Sequence, residues 1–249
     1  MNWSKIKNIM IMFLIAMNIA MLAFIAMTSM RDAAVPEDVI TSSLAVMQRD
    51  GFECDRDVFP SKRYTLPRLS AKFFSASELS ELFFSKQLAF RTVDDSLVAR
   101  EDKATLTVSK NHFLYKNGYD ADTSHSAKKV RRALRKAGIN MSGSVYDKEE
   151  DCFYFMYKDV NLFNMYISAK LDSDGELCYV SAQWPSKLSA LEDKELSFTS
   201  VITKLSPAFP DGGRVKAIER GYALHSSGSK FFFTPSWRVN VDGNSQIIE

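Results

Sequence analysis

The feature that most constrains this chain is an uncharged apolar run near its start, at residues 9–27. A helical residue adds about 1.5 Å of length, so this run would span roughly 28 Å, close to the bilayer hydrocarbon core of about 30 Å. Backbone groups inside a bilayer must find hydrogen bonds within their own segment, which favours a helix. The sequence therefore predicts a transmembrane anchor helix, assigned to residues 9–30.

The charges on either side of the run predict its orientation. Lys5 and Lys7 precede it, whereas Arg31 and then several acidic residues follow it. Because basic residues stay on the cytoplasmic side, residues 1–8 are expected to be a cytoplasmic tail and the remainder to be extracytoplasmic. The alternative is a cleaved signal peptide, but the run is long for one and lacks a convincing small-x-small cleavage site.

Three residues inside the predicted span are candidates for membrane-helix contacts. Helices in lipid associate through small residues and occasional polar ones, because apolar side chains gain nothing by leaving lipid. Ala16 and Ala20 have i, i+4 spacing, and Asn18 lies between them in the sequence. The alternative for Asn18 is a tolerated amide that needs no partner.

The composition beyond the anchor excludes some classes of protein. Three of the 32 basic residues belong to the anchor region, so the remaining 29 are balanced by 30 acidic residues. This balance argues against nucleic-acid binding, which requires a basic footprint. Three cysteines are too few for a disulfide framework. Buried thiols are expected, with a bridge between Cys152 and Cys178 left open.

Two helix ends in the outer sequence repeat the same spacing. The pattern Met47-x-x-x-Gly51-Phe52 recurs as Leu134-x-x-x-Gly138-Ile139. Each glycine follows an apolar helical stripe, which is typical of a helix end. A capping box is predicted at Ser75-x-x-Glu78, and a third helix is predicted to end before Pro207.

The remaining outer sequence predicts short strands with polar turns between them. They are expected at residues 96–100, 104–109, 111–116, 152–157, 163–171, 177–183, 215–224 and 237–241. Strands interrupted by a few helices predict an α+β fold, with helices packed on antiparallel sheets. The repeated helix end further suggests a two-lobed extracytoplasmic domain, with lobes at residues 31–120 and 121–249.

No motif in the sequence predicts catalysis. The three histidines have no zinc-protease spacing, and no cysteine pair has zinc-ligand spacing. Ser126-x-x-Lys129 and Ser227-x-x-Lys230 match the S-x-x-K of penicillin-binding enzymes, but the companion motifs are absent. We therefore expect no catalytic residue, no metal and no cofactor.

One strong charge cluster lies on the predicted helix that ends at Gly138. Its members are Lys128, Lys129, Arg131, Arg132, Arg135 and Lys136, on the face opposite Val130 and Leu134. The simplest interpretation is a solvated helix surface. The alternative is a docking patch for acidic partners or anionic envelope polymers.

The two ends of the chain resemble the YycI family. The start, Met1-Asn2-Trp3-Ser4-Lys5-Ile6-Lys7, leads directly into the apolar run, as the family's W-S-[KR]-x-K opening leads into its signal anchor. Near the other end, Gly221-Tyr222-Ala223-Leu224 and Pro235-Ser236-Trp237-Arg238-Val239 are also similar. This chain departs from the family in closing without a longer aromatic-rich strand, and the middle carries no diagnostic motif.

The resemblance implies a regulator with no known catalytic residues. Members act outside the cytoplasm on the sensor histidine kinase WalK (YycG), together with the partner protein YycH, in the control of the cell wall. The expected localisation is the cell membrane, with a single span. A binding module for a peptide, lipid or wall fragment is the alternative function, and a homodimer is an open alternative for the assembly.

Overall fold

The computed structural model describes residues 10–22, 34–118 and 125–249, and it combines helices with a large, mainly antiparallel sheet. This confirms the predicted α+β class. The chain forms two compact units. The first comprises residues up to Thr65 with Glu195–Ile218 and Val239–Ile248, and the second comprises Leu66–Lys194, Glu219–Arg238 and Glu249. Both units draw on residues from either side of position 120, and the lobes 31–120 and 121–249 stay a prediction.

The elements are named here in chain order. The helices are α1 (10–22), α2 (Glu37–Arg49), α3 (Ala76–Phe84), α4 (Ala127–Lys136) and α5 (Thr199–Ala208), with a 3₁₀ turn at Arg56–Val58. The strands are β1 (Phe52–Cys54), β2 (Tyr64–Phe73), β3 (Arg91–Val93), β4 (Ser96–Glu101), β5 (Ala104–Val108), β6 (Phe113–Asn117), β7 (Ser144–Asp147), β8 (Cys152–Tyr157), β9 (Val160–Leu171), β10 (Leu177–Gln183), β11 (Pro185–Leu196), β12 (Gly213–Ser227), β13 (Lys230–Val241) and β14 (Asn244–Ile248).

The first unit places α2 and α5 beside short strand pairs. Strand β1 runs parallel to the start of β12, with Phe52 opposite Gly213. Met47 of α2 and Val201 of α5 are buried. Burial of such side chains away from water is the main stabilising contribution to this unit.

The second unit contains a long path of neighbouring strands, in the order β11-β2-β13-β12-β9-β10-β6-β5-β4-β3. Strand β8 also pairs with β9, and β7 pairs with β8. The pairs from β3 to β6 and from β6 through β10 to β9 are antiparallel, whereas β12 runs parallel to β9. Helices α3 and α4 contribute Leu79, Val130 and Leu134 to the unit's hydrophobic core.

The predicted capping box at the start of α3 is present. The Ser75 hydroxyl accepts a hydrogen bond from the Glu78 amide at 3.3 Å, and the Glu78 carboxylate accepts one from the Ser75 amide at 2.8 Å. Lys72 Nζ also donates to Glu78 at 2.6 Å. The Lys72 bond first, and the Ser75 amide second, lower the pKa of Glu78.

The repeated helix end is confirmed as a local structure. Gly51 and Gly138 have φ angles of +89° and +91°. This left-handed region favours glycine, which has no Cβ. The residues flanking both glycines in the pattern, Met47 with Phe52 and Leu134 with Ile139, are buried.

The structure corrects two predicted element boundaries and adds a strand that was not predicted. Helix α5 was expected to end before Pro207 but includes it. Only Ala208 follows this proline in the helix, so its missing N–H removes a single hydrogen bond at the end of the helix. Strand β13 begins seven residues before the predicted position 237, and β11 was not predicted.

The described part of the predicted anchor, residues 10–22, is helical. Over the ranges that the structure describes, no helix is both long and apolar enough to cross a membrane. The predicted tail at residues 1–8, and residues 9 and 23–30 of the predicted anchor, lie outside the described residues.

Candidate functional site

Helix α1 exposes large apolar side chains on every side. All of its described residues are exposed, and Met10, Phe13 and Leu22 retain 62%, 68% and 67% of their accessible surface. These residues point in different directions, because each helical residue turns the chain by about 100°. A helix that is apolar all round normally lies in a protein core or a membrane. Its apolar surroundings are therefore not supplied by the described chain.

The polar residue within α1 has a local hydrogen-bond partner. Asn18 Nδ2 donates to the Leu14 carbonyl at 2.9 Å, one helical turn earlier. A side chain that bonds back to its own helix reduces the cost of placing a polar group in apolar surroundings. The bond to Leu14 thus explains how the Asn18 amide is tolerated without a partner outside its own helix.

The three candidate contact residues of α1 do not share one face. Ala16 and Ala20 lie about 40° apart around the helix axis, whereas Asn18 lies roughly 160° from each of them. All three are exposed. A single partner helix contacts one face, so it could engage the two alanines or the asparagine, but not all three.

The basic cluster of α4 contains one residue with a structural role. Arg131 is half-buried, and its Nη2 donates to the Ser144 carbonyl at 3.1 Å. Its guanidinium carbon lies 5.1 Å from the centre of the Phe153 ring, within range of a cation–π contact. These contacts hold Arg131 against the domain, and its Nε is buried with no hydrogen-bond partner among the described residues.

The other five basic residues of α4 are exposed and divide into two groups. Lys136 Nζ lies 2.7 Å from Glu176 Oε1 in an ion pair. For Lys128, Lys129, Arg132 and Arg135, no ion pair is recorded within the described part of the chain. Of these, Lys128, Arg132 and Arg135 fall within an arc of about 60° and extend over about 10 Å of helix. We call these three residues the α4 stripe.

The basic residues in the first turn of α4 interact unfavourably with the helix dipole, whereas Arg135 and Lys136 in its last turn interact favourably with it. Lys128 and Lys129 occupy its first turn, where no acidic residue is present and the Ser126 side chain makes no capping bond. The positive end of the helix dipole is unfavourable for cations. Like charges at i, i+3 and i, i+4 spacing each cost about 0.2–0.5 kcal/mol. Helix stability therefore does not explain Lys128, the member of the α4 stripe in the first turn.

A groove of about 460 Å³ runs beside the stripe, between α4 and the β9–β10 turn. Lys129, Arg132 and Lys136 line it, together with Ser173 and Asp174. The groove also includes His125, whose Nδ1 atom is buried and has no hydrogen-bond partner among the residues that the structure describes.

The β9–β10 turn that forms the other wall is held by its own side chain. Asp172 Oδ1 accepts hydrogen bonds from the amides of Asp174 and Glu176, each at 3.0 Å. This carboxylate is consequently engaged in the turn. The Asp174 carboxyl is the acidic group in a groove that is otherwise mainly basic.

A second cleft, of about 640 Å³, is lined mainly by charged side chains. Arg68 Nη1 lies 3.0 Å from Glu192 Oε1, and the guanidinium carbon lies 5.6 Å from the centre of the Phe232 ring. His225 Nε2 lies 2.9 Å from Glu249 Oε1. Sequence reasoning missed this cleft because Glu192 belongs to β11, which has no apolar alternation to reveal it.

The serine–lysine motifs lie at the ends of elements. Ser126 precedes α4, and Ser227 and Lys230 flank the β12–β13 turn. No group of three or more potential metal ligands occurs among the residues placed by the structure. The expected lack of catalysis, cofactor and metal stays a prediction.

All three cysteines are free thiols, so the Cys152–Cys178 bridge is not formed. Cys152 and Cys178 are buried, and desolvation is the main cause that raises the pKa of each thiol. Raised pKa values reduce the thiolate fraction and hence reactivity.

Comparison with known proteins adds no family assignment. No family model matches the chain, and no curated protein matches it significantly. The resemblance to YycI proteins rests on the two chain ends quoted above.

Proposed function

We propose that this chain is a single-pass membrane protein that regulates a cell-wall-controlling sensor histidine kinase through protein contacts. In this proposal residues 1–8 are cytoplasmic, α1 belongs to the anchor, and the sheet-containing domain is extracytoplasmic. The resemblance to YycI proteins supplies the candidate partners, WalK (YycG) and YycH. The observation that carries the proposal is the exposed apolar circumference of α1.

The properties of α1 support anchoring because the helix has no buried face of its own. Large apolar side chains exposed to water are unfavourable, and a lipid environment removes this cost. Asn18 bonds to its own helix, which lowers its cost in lipid. A soluble domain has no evident need for such a segment.

The second cleft is lined by more charged residues than apolar ones. Sites for small apolar molecules are lined mainly by hydrophobic and aromatic side chains. This cleft instead presents Arg68, Glu192, Asp193 and Lys194, with Phe232 as its single aromatic residue. Such a lining differs from that of a typical site for an apolar molecule.

Site-specific photocrosslinking in living cells tests the proposal. A photoreactive residue is placed in turn at Ala16, Asn18 and Ala20, and the covalent products are identified by mass spectrometry. We expect a sensor kinase or its membrane partner to be captured from one face. The matched control places the same photoreactive residue at Lys148, an exposed turn position in the second unit. A product pattern from α1 indistinguishable from that of Lys148 would contradict the proposal.

A topology reporter tests the anchor separately. A reporter that is active only outside the cytoplasm, fused after Glu249, should give signal because Lys5 and Lys7 hold the start of the chain inside. Activity of a cytoplasm-specific reporter at the same position would overturn the assigned orientation.

A further inference from the structure

We infer that the outer face of α4 binds a linear phosphate polyanion. The contacts are made by the α4 stripe of Lys128, Arg132 and Arg135, with Lys129 in the adjoining groove. This interaction is independent of the kinase contact proposed for α1, since it needs neither the anchor nor a partner protein. Its basis is the arrangement of charge in α4 and the chemistry of that face.

The first argument is that α4 retains unfavourable charges. Its first turn combines Lys128 and Lys129 with the positive end of the helix dipole, without a capping side chain or an acidic residue. An anion placed along this face would relieve both the dipole interaction and the repulsion between like charges. Features that reduce local stability in this way are typical of functional surfaces.

The second argument concerns spacing. Successive members of the stripe are separated by four and three residues, which correspond to about 6 Å and 4.5 Å along the helix. A linear phosphate polymer lying along the helix can therefore contact all three side chains in turn. Arginine also presents a planar fork of donors that matches phosphate oxygens.

The third argument separates a polyanion from a folded protein partner. Protein interfaces depend on apolar or aromatic anchors that become buried at their centre. The outward face of α4 has none, because Val130 and Leu134 are buried beneath it. A polyanion needs no such anchor, since neutralising successive phosphates releases counterions. The same lack of apolar side chains disfavours insertion into a lipid surface.

The adjoining groove gives the polymer a defined path. Lys129, Arg132 and Lys136 line it, and Lys136 forms an ion pair with Glu176. Asp174 opposes an anion there, so the bound polymer should follow the stripe rather than the turn.

The test is a titration of the full-length protein, in nonionic detergent, with short-chain inorganic polyphosphate at several salt concentrations. The logarithm of the binding constant should fall linearly with the logarithm of salt concentration, with a slope of about −0.7 per contacted phosphate. Each contacted phosphate then raises the binding constant about fivefold at about 0.1 M salt. The combined Lys128→Gln, Arg132→Gln and Arg135→Gln variant should lose roughly 100-fold in affinity.

The matched control removes the same charge elsewhere in the second unit. Lys103, Lys110 and Lys148 are exposed and lie outside α4. Replacing all three by glutamine should change the affinity less than about threefold, because long-range effects of exposed charges are screened. An equal loss in this control, or unchanged affinity in the stripe variant, would overturn the inference.

Binding measurements with other anions distinguish a phosphate polymer from other classes of ligand. Inorganic monophosphate should fail to displace polyphosphate, and poly-glutamate should bind more weakly. Equal binding of monophosphate would overturn the inference, because it would indicate a site for a single anion. Tighter binding of poly-glutamate, or binding of phosphatidylglycerol vesicles without binding of polyphosphate, would overturn the assignment to a phosphate polymer.

Discussion

Helices α1 and α4 differ in the side chains that they expose. Helix α1 is apolar around its circumference and has no buried face, whereas α4 buries Val130 and Leu134 and exposes a basic stripe. The exposed surface of α1 is apolar, and that of α4 is positively charged. We propose from this difference that α1 is suited to lipid or a partner helix, and α4 to an anion, each from outside the described chain.

The largest expected effect compares equivalent truncations in the two helices. Leu134 is fully buried, whereas Leu14 is 49% exposed. Leu134→Ala should lower the free energy of unfolding by about 3 kcal/mol, because it leaves a cavity in the core. Leu14→Ala should change it by less than about 0.5 kcal/mol. Urea unfolding of the full-length protein in detergent measures both, and similar losses would show that α1 packs as a core helix.

The next effect tests which face of α1 engages a partner. Ala16→Leu combined with Ala20→Leu alters one face, and Asn18→Leu alters the opposite face. A membrane-helix contact contributes roughly 0.6–2 kcal/mol, so disruption of the engaged face should change the complex population about 3- to 30-fold. Crosslinking yield at constant membrane level measures this change. Equal losses from both faces would contradict contact with a single helix.

A smaller effect of opposite sign is expected at the α4 stripe. The combined Lys128→Gln, Arg132→Gln and Arg135→Gln variant removes like-charge repulsion, while the loss of Lys128 from the positive helix end and of Arg135 from the negative end have opposing effects on the dipole interaction. We expect a gain of about 0.5–1 kcal/mol in the free energy of unfolding at low salt. The gain should shrink as salt is added. Loss of stability would mean that the stripe is held by stabilising contacts within the chain.

The smallest effect concerns pH and the capping box of α3. Lys72 and the Ser75 amide lower the folded pKa of Glu78 below its ordinary value of 4.5. This contribution to stability is present above that ordinary value and is lost as the pH falls through the lower folded pKa. Glu78→Gln should therefore reduce the acid sensitivity of unfolding below about pH 4.5. An unchanged pH profile would indicate that solvent screens the interaction.

Much of the fold could be predicted because local patterns determined it. Alternation of apolar residues marked β8 and β10, and the Ser75–Glu78 box marked the start of α3. Strand β11 was missed because seven consecutive residues, from Ser189 to Glu195, are exposed. Its position depends on pairing with β2, a long-range contact that no local pattern records.

The candidate surfaces were predictable in composition but not in detail. The sequence located the basic cluster, since helical spacing places its members opposite Val130 and Leu134. It did not separate Arg131 from the rest, because contacts with Ser144 and Phe153 depend on the tertiary fold. It also grouped Ala16, Asn18 and Ala20, although helical geometry places Asn18 on the opposite side.

The most direct test of the proposed function replaces residues 9–27 with an unrelated apolar helix of equal length. The readout is kinase-controlled transcription in cells, at matched protein level and with the same membrane topology. If regulation passes through contacts of α1, the replacement should abolish most of the regulatory effect while the outer domain stays folded. Full regulation by the replaced chain would contradict this account and would transfer the coupling to the outer domain.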